Sequence, residues 1–281
     1  MLRLASDDVE LVLDPWKGGS ITAFRWKGRD IFRPHAGGNH PIDLASFPLV
    51  PFCNRIAQGL VMYGDEARTV PMSRLGVDPE HAIHGLGWIS PWAVSEQADR
   101  SATLGLTYQG VMWPWSFEVQ QQFRLLDNGY VHTLIVTNTD TSPMPAGLGL
   151  HPYFPREDAA LEVDVGGYWE TGPDRLPSGH CGLAGAPDWF DGAGFDNCFT
   201  GRTGPIEIRW PAHTLTITPS PNLPFTHVYS PSGEGYFCVE PVSHIPNAVN
   251  SALAGEVTGL KLLEPGEAFE IDCVFTLVEA R

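Results

Sequence analysis

Two ionisable side chains, His151 and Glu240, each lie at the end of a short apolar segment. Burying an ionised carboxylate is costly unless the group is paired or used, so a glutamate at such a position needs an explanation. A histidine readily exchanges a proton near neutral pH, and a partly buried glutamate has a raised pKa that lets it act as a base. The two residues are therefore candidates for an acid/base pair. The alternative for His151 is a hydrogen-bonded histidine near the end of an ordinary strand.

The segment around His151, residues 147–154, has the sequence Gly-Leu-Gly-Leu-His-Pro-Tyr-Phe and is predicted to be a strand. Alternate side chains of a strand point to opposite faces. One face carries the two glycines, the histidine and Tyr153, whereas the other carries leucines and Phe154 and is predicted to face the core. The glycines leave a floor on which a flat ligand can lie, with the imidazole at its end.

The segment around Glu240 alternates in the same way. Tyr236, Cys238 and Glu240 share one face of a predicted strand, and Phe237 and Val239 share the other. The chain has no G-x-S-x-G nucleophile motif and no G-x-G-x-x-G phosphate loop that opens a helix. Proton transfer by the histidine and the carboxylate is thus the chemistry that these residue types favour.

Polar residues elsewhere in the chain are candidates for binding a ligand. Asn54 and Arg55 directly follow an apolar segment, where long polar groups need partners. Two interpretations of Arg55 stay open, namely a guanidinium fork that reaches ligand hydroxyls and a buried arginine that ties two loops together. Asp196 lies between aromatic residues, which indicates either a partly buried carboxylate with a partner or an Asx-turn.

His81 and His84 are three positions apart, a spacing that could suit a metal on a helix. Glycines at 85 and 87 break a helix, so no metal site is predicted. The alternative is a loop that offers the imidazole of His84 to a cavity, with Trp88 as a wall. Apolar faces of sugars commonly pack on aromatic rings, and tryptophan offers the largest such surface.

The 281 residues contain 43% hydrophobic residues, with 30 glycines and 25 prolines spread between short apolar runs. This pattern predicts many short strands and no long helix, hence one all-β domain over residues 1–281 built as a large antiparallel β-sandwich. Asp127-Asn128-Gly129 is a strong hairpin signal. Residues 205–210 and 215–218 are predicted to form another hairpin. Residues 166–194 are predicted to form a long loop, and residues 259–263 and 269–278 a final hairpin.

The formal net charge of −16, without any basic run, argues against a nucleic-acid or anionic-membrane surface. The five cysteines are odd in number and form no C-x-x-C pair, which favours free thiols in a reducing cytoplasm. The N-terminal segment has no apolar region of signal-peptide length, and no apolar run approaches a membrane span. A cytoplasmic protein is therefore expected.

Five short motifs, taken in order, resemble those of the aldose 1-epimerases, also called galactose mutarotases. The motifs are Asn54-Arg55-Ile56, Ile83-His84-Gly85, His151-Pro152-Tyr153-Phe154, Phe195-Asp196 and Glu240-Pro241, and residues 259–267 look like that family's final hairpin. The resemblance covers nearly the whole chain. It implies a β-supersandwich that opens and closes sugar rings without a cofactor.

The resemblance also implies roles for individual residues. His151 matches the general acid of the family and Glu240 its general base, so that a carboxylate and an imidazolium act together. Arg55, His84 and Asp196 match sugar-binding positions. We place three neighbours with the substrate-binding residues: Asn54, Trp88 and Tyr153.

The expected partner is a small-molecule sugar, and the expected assembly is a monomer or a homodimer. The chain is shorter than the galactose enzymes, and residues 240–247 look more like a bacterial branch, which puts galactose in doubt. Sulfo- and phosphosugars are alternatives, although the net charge weighs against phosphosugars. A sugar-binding protein without activity and a glycoside hydrolase using Asp196 and Glu240 are the other hypotheses.

Overall fold

The computed structural model describes residues 1–35, 37–38, 40–63, 65–70, 77–110, 112–190, 192 and 194–280. Strands dominate this part of the chain, and the α-helix that it contains, α1, covers only Gly255–Thr258. The strands are β1 (Leu2–Ala5), β2 (Val9–Asp14), β3 (Ser20–Trp26), β4 (Arg29–Asp30), β5 (Ser46–Leu49), β6 (Arg55–Ile56), β7 (Leu60–Tyr63), β8 (Glu66–Thr69), β9 (Ala82–Ile83), β10 (Ala93–Ala98), β11 (Ser101–Tyr108), β12 (Phe117–Leu126), β13 (Gly129–Asn138), β14 (Met144–Ala146), β15 (Gly149–Pro155), β16 (Ala160–Asp164), β17 (Gly167–Thr171), β18 (Pro177–Gly182), β19 (Asp196–Thr200), β20 (Thr203–Trp210), β21 (His213–Pro219), β22 (Phe225–Tyr229), β23 (Tyr236–Val242), β24 (Lys261–Leu263) and β25 (Ala268–Glu279).

Two large antiparallel sheets carry the architecture. The first has 11 strands in the order β1-β2-β3-β5-β15-β23-β22-β19-β17-β18, with β4 paired to β3. The second has 8 strands in the order β10-β11-β12-β13-β25-β21-β20-β16. Three two-stranded ladders, β6–β9, β7–β8 and β14–β24, complete the strand pairing. The predicted all-β fold with large antiparallel sheets is confirmed.

Aromatic side chains from both sheets meet in the core between them. Phe24 of the first sheet lies 4.8 Å from Tyr130 of the second, and Phe32 contacts Phe154 at 5.3 Å between ring centroids. Tyr130 also stacks on Phe275 at 4.7 Å. These five rings are all buried. Burial of such large apolar side chains is the main favourable contribution to joining the sheets.

Hairpins with clear turn signals were correctly predicted from the sequence. Strands β12 and β13 pair over their whole length, with Leu126 opposite Gly129, so the connection is the two residues Asp127 and Asn128. Strands β20 and β21 form the other predicted hairpin. Among the described residues no helix is long and apolar enough to cross a bilayer.

Two predictions about connections are wrong. The segment 166–194 is not one loop, because β17 and β18 within it form a hairpin at the edge of the first sheet; residues 191 and 193 lie outside the described part. The last two strands do not pair with each other. Strand β24 pairs with β14, whereas β25 pairs with β13 and β21. The turn between them is present, with Glu267 N–H donating to the Glu264 carbonyl at 2.9 Å, but it sends the two strands to different partners.

Candidate active site

A cavity of about 570 Å³ lies over the centre of the first sheet. Its polar lining comes from strands β15, β19, β22 and β23, from the loops before β5 and around β6 and β9, and from the turn between β17 and β18. Seven of the eight predicted site residues line it, and the exception is Trp88. The polar and aromatic lining residues are Arg33, Asp43, Asn54, Arg55, His84, His151, Tyr153, Arg175, Asp196, His227, Tyr229, Tyr236 and Glu240.

His151 and Glu240 face each other on neighbouring central strands. The register that pairs Tyr153 with Cys238 places His151 opposite Glu240. Nε2 of His151 lies 3.2 Å from Oε1 of Glu240, and the residues are 6% and 2% exposed. Nδ1 of His151 and Oε2 of Glu240 are buried and have no hydrogen-bond partner among the described residues. Both residues line the cavity, and each keeps one hydrogen-bonding atom without a protein partner among the described residues.

Burial sets the protonation of this pair. It raises the pKa of Glu240 to about 8, against the lowering effect of the cations His227 and Arg55. It lowers the pKa of His151 to about 3. Between these values the two groups together hold one proton, and burial disfavours the imidazolium form that was expected from the sequence. Because the groups are in contact, they act as one unit that can give and take a proton.

Arg55 lies between two carboxylates at the side of the cavity. Its Nε donates to Oδ2 of Asp78 at 2.7 Å, and its Nη1 lies 3.6 Å from Oδ2 of Asp196. Nη1 also donates to Oδ1 of Asn54 at 3.4 Å. Burial raises the pKa of Asp78, but hydrogen bonds from Arg55 and two backbone N–H groups outweigh this and lower it. Arg55 therefore ties the loop of Asp78 to the site, as one interpretation predicted, and it also lines the cavity, so its contact with ligand hydroxyls stays a prediction.

Asn54 and His84 have left-handed backbones, with φ values of 56° and 61°. Such conformations are uncommon for residues other than glycine and are found where the surroundings hold them in place. Here His84 N–H donates to the Asn54 carbonyl at 2.9 Å. The His84 ring meets the His151 ring edge-on at 5.1 Å, and His151 stacks on Phe47 at 4.4 Å. The strained turns thus hold an amide and an imidazole beside the acid/base pair.

Trp88 lies behind the cavity and not in its wall. It is 0% exposed, stacks on Phe47 at 5.2 Å and donates its Nε1 hydrogen to the Gly85 carbonyl at 3.1 Å. An indole is buried readily once its N–H has a partner. The large ring of Trp88 therefore serves packing, although the sequence predicted a cavity wall. Trp88 supports the ring on which His151 rests.

The two glycines ahead of His151 do not form an open floor. A Cβ at Gly147 would lie 1.8 Å from Cδ2 of His244, and one at Gly149 would lie 2.8 Å from Cγ1 of Val242. The space that the glycines leave is filled by these side chains, so the prediction of a ligand floor is wrong. His244 accepts a hydrogen bond from the backbone N–H of Cys53 at 2.9 Å and so ties two site loops together.

The sequence interpretation missed His227 and Arg33. His227 sits opposite Glu240 on β22 and is 4% exposed. Its position in a short strand was a usable signal, but its pairing with Glu240 depends on the register of β22 and β23. The Arg33 guanidinium lies 3.8 Å from the centre of the Tyr153 ring and 4.6 Å from that of Tyr236. Arg33 follows no motif, and only the fold brings it to the cavity.

Among the described residues, atoms that could bind a metal form one buried cluster. Ligand atoms of His151, Cys238 and Glu240 lie within 4.8 Å of one another. Burial raises the pKa of the Cys238 thiol well above its ordinary value, so this thiol is protonated while no metal is bound. His81 is committed elsewhere, because its Nδ1 accepts from Gln58 N–H and its Nε2 donates to the Asp174 carbonyl. Two of the three candidate ligands in the cluster are thus the acid/base pair itself.

Comparison with known proteins agrees with this geometry. The aldose 1-epimerase family model matches residues 12–276, and the chain belongs to this family. It is 30% identical over 269 residues to the uncharacterized protein YphB of Escherichia coli K12, covering 90% of both chains.

Solved structures of the same type superpose over almost the whole chain. A provisionally assigned aldose 1-epimerase from Escherichia coli K12 has a TM-score of 0.87 and 25% identity, covering 99% of this chain and 98% of its own. A galactose mutarotase-like protein from Clostridium acetobutylicum has a TM-score of 0.85 and 18% identity, covering 99% and 95%.

Proposed function

We propose that the protein is an aldose 1-epimerase that interconverts the α and β anomers of a free aldohexose or a related sugar. The observation that carries this proposal is the contact between His151 and Glu240 at the bottom of a cavity of about 570 Å³. That volume is in the range of small-molecule sites and accommodates one hexose.

The chemistry of ring opening matches a pair that holds one proton. A proton must leave the C1 hydroxyl, the bond from C1 to the ring oxygen must break, and the ring oxygen must gain a proton. One member of the pair gives its proton while the other accepts, so the pair still holds one proton afterwards. Rotation about C1–C2 in the open aldehyde, followed by closure with the roles reversed, yields the other anomer. Each group supplies about 10²–10⁴-fold.

The polar groups around the pair suit sugar hydroxyls. Arg55 offers guanidinium hydrogens, Asp196 offers carboxylate oxygens, and Asn54 offers an amide. Nδ1 of His84 is buried without a partner among the described residues, and burial keeps this imidazole neutral by lowering its pKa well below the ordinary value. Tyr153 and Tyr236 provide apolar surface beside these donors and acceptors. Such a mixture is typical of sites that bind a neutral polyhydroxyl ligand.

A fresh solution of a pure α-anomer tests the proposal directly. The protein should accelerate the approach to the anomeric equilibrium, measured by polarimetry and by exchange NMR on a panel of aldoses. Glu240→Gln is the matched control, since it keeps the shape of the site. Binding of sugars without acceleration would indicate a sugar-binding protein, and release of reducing sugar from a glycoside would indicate a hydrolase. Either result would contradict the proposal.

A further inference from the structure

His227 occupies a central place beside the acid/base pair. On β22 it pairs directly with Glu240 of β23, and on its other side it pairs with Cys198 of β19. Residues paired in this way have their Cβ atoms about 4.5–5.5 Å apart on the same face of the sheet. Nε2 of His227 donates to Oδ1 of Asp196 at 2.8 Å. A single row across the sheet therefore runs from His151 through Glu240 to His227.

The surroundings of His227 favour its charged form. Burial lowers its pKa, but the hydrogen bond to Asp196 and the charges of Glu240 and Asp196 more than offset this, so the pKa is raised. The pKa of Asp196 is lowered to about 2, because the bond and charge of His227 and the charge of Arg55 outweigh its burial. Nε2 of His227 and Oδ1 of Asp196 thus form an ion pair whenever the ring is protonated, and Nδ1 of His227 is buried without a partner among the described residues.

We propose that His227 is a positioning residue which, held as a cation by Asp196, sets the pH range over which His151 and Glu240 together carry one proton. The effect on the pH profile of anomer exchange rests on the proposed epimerase function. The effect on the pKa values of His151 and Glu240 does not.

The direction of the effect follows from the charges. The cation lowers the pKa of both members of the pair, whereas the Asp196 carboxylate raises both. Removing the His227 charge leaves Asp196 uncompensated, so both pKa values rise. The other charged groups that line the cavity are Arg33, Arg55, Arg175 and Asp43.

The remaining titratable groups on this face stay neutral over the same range. Burial raises the pKa values of the thiols and phenols and lowers that of His84. These thiols and phenols are Cys53, Cys198, Cys238, Tyr153, Tyr229 and Tyr236.

The pH profile of anomer exchange in His227→Gln tests the proposal. The variant keeps a donor toward Asp196 but has no charge, so both limbs of the profile should move to higher pH by about one unit. A residue that only holds the fold together would lower the rate without moving the limbs. The matched control is His132→Gln, another buried histidine that bonds Gln121 at 3.0 Å in the second sheet, and its limbs should stay in place.

NMR titration separates this inference from the proposed function. In the wild type, the His227 ring should be protonated at neutral pH, and the Glu240 carboxyl should titrate at higher pH in His227→Gln than in the wild type. A second substitution, Asp196→Asn, added to His227→Gln should bring the Glu240 titration back toward the wild type. A neutral His227, or unmoved titrations and limbs, would overturn the inference even if the enzyme is active. If no sugar is epimerised, the titrations still decide it.

Discussion

Nε2 of His151 and Oε1 of Glu240 lie 3.2 Å apart on adjacent antiparallel strands, and neither residue is more than 6% exposed. Each has a proline next to it, Pro152 and Pro241, in strands at the centre of the sheet. Proline lacks an N–H and is rarely found in central strands. The sheet therefore lacks backbone N–H donors beside the two proton-exchanging groups.

The rate of anomer exchange should depend on both members of this pair. Glu240→Gln and His151→Asn should each lower it by about 10²-fold or more. The double variant should lose much less than the product of the two effects, because groups that act as a unit are not additive. Below about pH 3 the pair holds two protons and has no base, and above about pH 8 it holds none and has no acid, so the profile is bell-shaped. Exchange NMR across pH on the wild type, the two single variants and the double variant measures the rates and the profile. Glu162→Gln, an exposed carboxylate bonded to Arg209, is the control.

The stability of Glu240→Gln should exceed that of the wild type at neutral and alkaline pH. Burial raises the pKa of Glu240 from 4.5 to about 8. Because the pKa of Glu240 is higher in the folded than in the unfolded state, its protonated carboxyl contributes to the free energy of unfolding. This contribution is fully present below pH 4.5 and is lost as pH rises toward 8. The gap between the two proteins should therefore widen over this range by at least about 1.4 kcal/mol, the value of one pKa unit. Urea unfolding at several pH values measures it, and a constant gap would contradict the buried neutral carboxyl.

Sugar binding should weaken in Arg55→Lys although the charge is retained. The guanidinium bonds Asp78 through Nε and reaches Asn54 and Asp196 through Nη1, a geometry that an ammonium cannot reproduce. The loss should be about 1–3 kcal/mol in binding free energy. Calorimetry or the KM of anomer exchange measures it. Arg209→Lys is the control, since its exposed pairs with glutamates contribute little. Unchanged affinity would leave Arg55 with a loop-tying role alone.

Gly147→Ala should lower stability more than it lowers sugar affinity. The added methyl group would collide with the His244 ring, at 1.8 Å from Cδ2, and displace its bond to Cys53. Overpacking of this kind costs about 1–3 kcal/mol. Gly105→Ala, where no atom lies within 4 Å of the new Cβ, should leave the melting temperature unchanged or slightly higher. A variant of normal stability with weakened sugar binding would show instead that the glycine serves the ligand.

Activity should survive chelators. The buried thiol of Cys238 is held protonated, and the other potential ligands near it are the acid/base pair itself. The rate should be the same in EDTA, and Cys238→Ser should keep a rate like that of the wild type. Anomer exchange before and after dialysis against EDTA checks this. A loss that zinc restores would overturn the metal-independent mechanism.

The sequence predicted those features that depend on local pattern. Alternation and turn residues were enough for β12, β13, β20 and β21, because each strand pairs with its neighbour along the chain. The motif residues His151 and Glu240 were identified as candidates, and the structure places them in contact.

Features that depend on distant partners were not predictable in this way. Strand β24 looked like the partner of β25, but its ladder is with β14. The large apolar ring of Trp88 was assigned to the ligand, although Phe47 covers it. His227 gained its importance only from the strand that lies beside it. The partners of β24 and Trp88 are far away in the chain, whereas Glu240 is 13 positions from His227 and meets it only through the register of β22 and β23. Residue type alone reveals none of these neighbours.

The position of the site across the centre of the sheet has a consequence for how activity is acquired during folding. Contacts at the site join residues 173 and 191 positions apart, as between Asn54 and His227 and between Cys53 and His244. Such contacts carry a large loop-closure entropy and form late, after local hairpins. Hairpins such as β12–β13 can therefore be complete while no part of the site exists. Recovered anomer exchange would accordingly report the last step of refolding, and secondary structure would return earlier.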